Sequence, residues 1–168
     1  MTQETNKQDL VVKRIIDVPV ELAWKAWTDP EYVKLWWGPK DYISPTCEID
    51  LRVGGKFIFC MRAPVEQGGQ DMYTSGFYKK IVPMERLEFT QGMSDKDGNL
   101  IDPAQIGMPD FPKEIPTEIV FAAKGNMTEM TITQHDLTVG DGGKMFVYAL
   151  AGMHQSIDKM AENLAKKS

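Results

Sequence analysis

The run SGFYKKIVPMERLEFT, residues 75–90, narrows more than any other stretch what this chain can fold into. A strand-like segment ends at Val82, Pro83, Met84 and Glu85 supply a turn, and a second strand begins at once at Arg86. Gly76 lies inside the first strand, where a glycine marks a bulge or the close approach of another backbone. The hairpin spans about residues 71–91. Leu87 and Phe89, together with Tyr78, are its expected inward wall.

The elements around the hairpin follow from period and punctuation. Residues 1–9 are polar and predict a flexible tail; residues 10–18, LVVKRIIDV, have strand composition. Pro19 suits the first turn of a helix on which Val20, Ala23, Trp24 and Trp27 share one apolar face. Asp29 is the expected N-cap of a second short helix with Pro30 at its first position, running through Leu35, Trp36 and Trp37 to Gly38 and Pro39. Two strands then flank Gly54-Gly55. Their apolar faces coincide if the loop carries one extra residue, which pairs Leu51 with Phe57 and Ile49 with Phe59. That register puts Cys47 inward and Cys60 outward, so no disulfide joins them. Residues 92–116 form a long Gly-, Pro- and Asp-rich loop, either functional or mobile. A last hairpin turns at Gly125-Asn126. A helix from about residue 143 to 166 carries the stripe Phe146, Leu150, Met153, Ile157, Met160 and Leu164. One strand, two short helices, six strands and a long helix make an α+β layer architecture in a single domain over residues 10–168.

With 168 residues the chain can bury a real core, and its net charge of -5 without a basic stripe argues against nucleic acid as a partner. The apolar run FVYALAGM is too short to span a bilayer, and the polar start has no secretory apolar region, so a soluble, cytoplasmic protein is expected.

The element order, together with TDPEYVKLWWGP, CEIDLRVGGKFIFCMRAP, GFYKKIVPMERLEFT and the last helix with Gly152, resembles the START/polyketide-cyclase/birch-pollen-allergen superfamily, SRPBCC. Within it the chain resembles the family of heat shock protein 90 ATPase activator homologues, over about residues 10–165. The resemblance implies a helix-grip fold, a curved antiparallel sheet wrapped around the long C-terminal helix, with a cavity between them. Met153 stands where the family usually has Trp after the helix glycine. The additional N-terminal domain of the co-chaperone that gives the family its name is not expected in this chain.

Phe57, Phe59, Met61, Phe89, Phe121, Met130 and Ile132 are expected to face inward, with Met153 and Ile157 opposite. Trp37 and the loop at residues 92–116 are the expected mouth. A ligand site of Trp37, Phe57, Phe59, Met61, Tyr78, Phe89, Phe121, Met130, Met153 and Ile157 suits a small hydrophobic or amphipathic molecule, and a filled core is the competing outcome. No catalytic residue, cofactor or metal is assigned. If Met130 and Ile132 point inward, His135 points to solvent; His154 is expected to be a satisfied or exposed helix histidine. Glu48, Asp50 and Glu118 fall on polar strand faces. Arg86 and Glu85 are explained by an ion pair or a turn contact. Asp95, Asp97 and Asn99 with Gly98 form a plain turn rather than a calcium loop. A cyclase- or hydratase-type enzyme is the alternative function and requires polar groups converging in the cavity, for instance Tyr78 with Gln134 or His135. A chaperone-interaction module is the third. Outward apolar Ile58 and Cys60 hint at a covered outer face, a homodimer contact.

Overall fold

The computed structural model describes residues 7–107, 109, 111–138 and 144–167, with side chains throughout except at 138 and 144–146. Seven strands form one antiparallel sheet: β1 (Lys7–Ile16), β2 (Cys47–Ile49), β3 (Lys56–Arg62), β4 (Asp71–Val82), β5 (Arg86–Ser94), β6 (Ile115–Lys124) and β7 (Met127–Thr138), in the spatial order β1-β7-β6-β5-β4-β3-β2. Helices α1 (Val20–Thr28) and α2 (Pro30–Val33) follow β1, and α3 (Lys144–Ala165) closes the chain. The expected α+β helix-grip architecture is present.

β1 opens at Lys7, so Lys7 and Gln8 of the expected tail pair with β7 instead, with Asp9 in a bulge before Leu10. Asp9 accounts for the extension: its Oδ1 accepts the Asp136 amide at 3.0 Å and its Oδ2 meets His135 Nδ1 at 3.2 Å. The first six residues of that tail lie outside the described residues.

The register between β2 and β3 departs from expectation by two residues. Ile49 pairs with Phe57 and Cys47 with Phe59, and Leu51 lies outside the strand. The cause is the Gly54-Gly55 pair. Rather than closing a tight hairpin, it bonds to β4: Gly54 N donates to Tyr78 O at 2.8 Å, and Tyr78 N to Gly55 O at 3.0 Å. A Cβ on Gly55 would fall 2.0 Å from Asp50 O. A slip of two keeps every side chain on its face, so Cys47 remains on the core side and Cys60 on the other, both as free thiols.

α2 is shorter than expected. Asp29 caps it, accepting Glu31 N at 3.0 Å, and single turns continue to Trp37 before Gly38, at φ +104°, ends them. Trp36 is buried beneath and donates its indole N–H to Ala26 O at 2.7 Å.

α3 lies across the concave face with Ile157, Met160 and Leu164 fully buried. The expected start at residue 143 and the side chain of Phe146 lie outside the described residues. Polar bonds lock the middle of the helix to the segment after α2. Ser156 Oγ donates to Gly38 O at 2.9 Å, and the Lys159 ammonium donates to Gly38 O, Pro39 O and Tyr42 O at 3.0, 3.1 and 2.9 Å. Burial pushes the Lys159 pKa down, yet all three of its protons have acceptors. Lys159→Met keeps the apolar stem and removes all three charged hydrogen bonds, although Gly38 O keeps Ser156 Oγ and Pro39 O keeps Tyr42 N. It is expected to lower the unfolding free energy by about 2–3 kcal/mol, and urea denaturation giving a loss under about 0.5 kcal/mol would refute the role.

The outer face at Ile58 is covered from within the chain. A Cβ on Gly98 would lie 2.9 Å from Ile58 Cδ1, and Lys56 Nζ reaches Asp97 O at 3.4 Å. Cys60 on the same face has no exposure. The apolar surface that hinted at a homodimer contact is therefore occupied.

Candidate functional site

Side-chain size along the inward positions decides where the interior is full. On β4 these positions run Tyr78, Gly76, Thr74, Met72; on β5 they run Leu87, Phe89, Gln91, Met93. The aromatic end of this series is closed. Phe57 holds ring centroids 4.8 Å from Phe59, 5.3 Å from Tyr78 and 5.3 Å from Phe89, and Trp24 meets Phe121 at 5.4 Å. Gly76 allows this closeness, since a Cβ there would sit 1.6 Å from Thr90 O and 3.0 Å from Phe57 Cζ.

Beyond Gly76 the side chains stop filling the space, and a cavity of about 510 Å³ opens. Its floor is Met61 of β3, Met72 and Thr74 of β4, Gln91 and Met93 of β5 and Ile115 of β6. Its roof is Ala149 and Tyr148 of α3. Ile101, Ile106 and Phe111 of the long loop form the remaining wall. Tyr148 is 75 % exposed and Ile106 52 %, which makes them the rim. The loop is held by Ile101 N donating to Met93 O at 2.9 Å and by a 3₁₀ turn at Pro103–Ile106, whose cap Asp102 accepts Ala104 N at 3.0 Å.

Of the ten residues expected to bind ligand, Met61 lines this cavity. Phe57, Phe59, Tyr78, Phe89, Phe121, Met130 and Ile157 lie in the closed core. Trp37 and Met153, again with Met61, border a separate hollow of about 120 Å³ between α3 and the turn after α2. The expected mouth thus divides: Ile101, Ile106 and Phe111 of the loop line the larger cavity and Trp37 borders the smaller. Gln91, Thr74 and Ala149 were not anticipated. The small or polar residues at inward positions of β4 and β5 were the available signal.

The polar groups considered for catalysis do not converge. Tyr78 is buried in the closed core, its hydroxyl has no partner among the described residues, and burial pushes its pKa up. His135 lies on the outer face between Asp9 and Glu118, at 3.2 and 3.3 Å, and Glu118 also pairs with Arg86. Arg86 has its second partner in Glu88, so the ion pair read at the turn runs to neighbouring strand positions rather than to Glu85. Gln134 is half-buried on β7, paired with Thr117 of β6. His154 meets Arg14 Nη1 at 3.3 Å, and Arg14 Nη2 donates to Asp158 at 2.6 Å. Burial pushes the Cys47 thiol up to about 12, so it is held as an inert thiol.

At the cavity edge, Asp71 accepts from Arg62 Nε and Nη2 at 2.7 and 3.0 Å, and this pairing holds its carboxyl below the usual range. The Asp95 carboxylate is taken up by Asp97 N, Asn99 N and Asn99 Nδ2, as in a plain turn. Among the described residues no group of three or more His, Cys, Asp or Glu is placed to hold a metal ion. No helix among them is long and apolar enough to cross a membrane.

Comparison with solved structures gives the same fold. A protein from Nitrosomonas europaea is 25% identical with a TM-score of 0.74, covering 95% of each chain. A protein from Arthrobacter aurescens is 23% identical with a TM-score of 0.77, over 98% of this chain and 90% of that one. The AHSA1 protein from Silicibacter pomeroyi is 23% identical with a TM-score of 0.72, over 96% of this chain and all of the other. Among curated proteins none matches. The family model described as "Activator of Hsp90 ATPase homolog 1-like protein" matches residues 17–165, which takes in every element from α1 onward. With the sheet, the gripping helix and the family pattern agreeing over nearly the whole length, the chain belongs to the family of activator of Hsp90 ATPase homolog 1-like proteins.

Proposed function

We propose that this protein binds a small hydrophobic or amphipathic molecule in the cavity between the β3–β6 face of the sheet and the N-terminal half of α3, and that it acts as a binder rather than a catalyst. The observation that carries the reading is the cavity itself: about 510 Å³, walled mainly by Met, Ile and Phe side chains. That volume falls inside the range of roughly 300–1,000 Å³ typical of small-molecule sites. An interior that closes completely around Phe57 and then fails to close two residues farther along β4 supports a site made to hold something.

The test is titration with the fluorescent apolar probe N-phenylnaphthylamine. The expected result is saturable binding with enhanced, blue-shifted emission in the unaltered protein. Ala149→Trp fills the roof of the cavity and is expected to weaken the probe by about tenfold or more, equivalent to roughly 1.4 kcal/mol, while the far-UV circular dichroism stays the same. No saturable binding in the unaltered protein, or equal binding in a folded Ala149→Trp variant, would sink the proposal.

A further inference from the structure

Resting on that ligand-binding reading, we infer that Gln91 presents a hydrogen-bond acceptor to the cavity and selects a neutral apolar ligand bearing a hydroxyl or N–H donor over a fatty carboxylate. Gln91 is 8% exposed and stands at an inward position of β5, on the cavity floor. A neighbouring hydroxyl dictates the orientation of its amide. Thr117 Oγ1, itself buried, gives its single proton to Ile115 O at 3.2 Å. It can therefore receive Gln91 only as a donor, and Gln91 Nε2 supplies that bond at 2.9 Å. One amide proton is given to Thr117, which fixes the amide's orientation, and no hydrogen bond reaches Gln91 Oε1 among the described residues. A carbonyl oxygen thus fixed in an apolar cavity is poised for a donor, because a buried acceptor left unmade is costly.

The charges nearby set the other half of the preference. Among the described residues no Lys, Arg or His lines the cavity. The ionised group among them is Asp71, whose carboxylate is already bridged by both arms of Arg62. A bound carboxylate would be desolvated and would meet the acceptor at Gln91, with the nearby Arg62 guanidinium already taken up by Asp71. An alcohol or a secondary amide meets none of these costs and satisfies Oε1.

Displacement of bound N-phenylnaphthylamine by dodecanol, methyl dodecyl ether and dodecanoate, each below its micellar concentration at neutral pH, tests the inference. The three share a chain and differ in the donor and the charge. Dodecanol is expected to bind about tenfold tighter than the ether, which cannot donate, and about tenfold tighter than dodecanoate. In Gln91→Leu or Gln91→Met the preference of alcohol over ether is expected to collapse toward about one. A ratio in the unaltered protein below about threefold, or dodecanoate binding as tightly as the alcohol, overturns the inference while leaving the ligand-binding reading intact. An unaltered protein that takes up neither probe nor any of the three chains overturns both. The unaltered protein alone decides the matter if neither variant folds.

Discussion

Replacing Phe57 with alanine is expected to lower the unfolding free energy by about 3–5 kcal/mol, as for other fully buried aromatic residues. Phe57 is 1% exposed and stands at the centre of the aromatic core, in ring contact with Phe59, Tyr78 and Phe89. Its backbone is fixed too, because its carbonyl accepts the buried Ser75 hydroxyl at 2.7 Å. The three rings around it are tied to different strands and cannot close the void together. With domains of this kind stable by only about 5–15 kcal/mol, the loss takes a large share. Urea denaturation monitored by tryptophan fluorescence measures it; a shift worth less than about 1 kcal/mol would show that the core relaxes into the gap and that the aromatic cluster does not hold the sheet.

Gly76→Ala is expected to be at least as damaging, by a different route. An added methyl would lie 1.6 Å from Thr90 O, a backbone atom of the neighbouring strand that cannot rotate away. Overpacking that a side chain can absorb costs about 1–3 kcal/mol; here β4 and β5 must part, so a loss above about 3 kcal/mol is expected. The double variant Gly76→Ala/Phe57→Ala separates the causes. Phe57 Cζ lies 3.0 Å from the same methyl position, but its removal leaves the contact with Thr90 O untouched. No rescue is expected. Recovery of stability in the double variant would place the conflict in the ring and refute the account.

Local signals revealed most of the fold. The alternation in β3 and β5, the turn at Pro83 and the stripe on α3 each reflect a periodicity that burial imposes on one element at a time. Gly76 was legible as a close backbone approach for the same reason. The register of β2 was not, because Gly54 and Gly55 bond to Tyr78 of β4, twenty-odd residues away, and a hairpin argument considers only neighbours. The cavity was misplaced for a related reason. Large apolar residues mark where space is filled, so Phe57, Phe89 and Phe121 pointed to the core. The open region is marked by what is small or polar at an inward position, namely Thr74, Gln91 and Ala149, and its far wall comes from Ile101, Ile106 and Phe111 of a loop without periodicity.

The division of α3 has a consequence for how this protein can change. Ile157, Met160 and Leu164 sit in the closed core, and Ser156 and Lys159 bind the helix to the turn at residues 38–42. Tyr148 and Ala149, about two to four turns earlier on the same helix, border the cavity instead. Substitutions on the early turns can therefore reshape the cavity while the later turns keep the sheet wrapped. A lineage built on this chain can vary the lining of the cavity at little cost to folding, a latitude in keeping with solved structures that keep the shape at about a quarter identity.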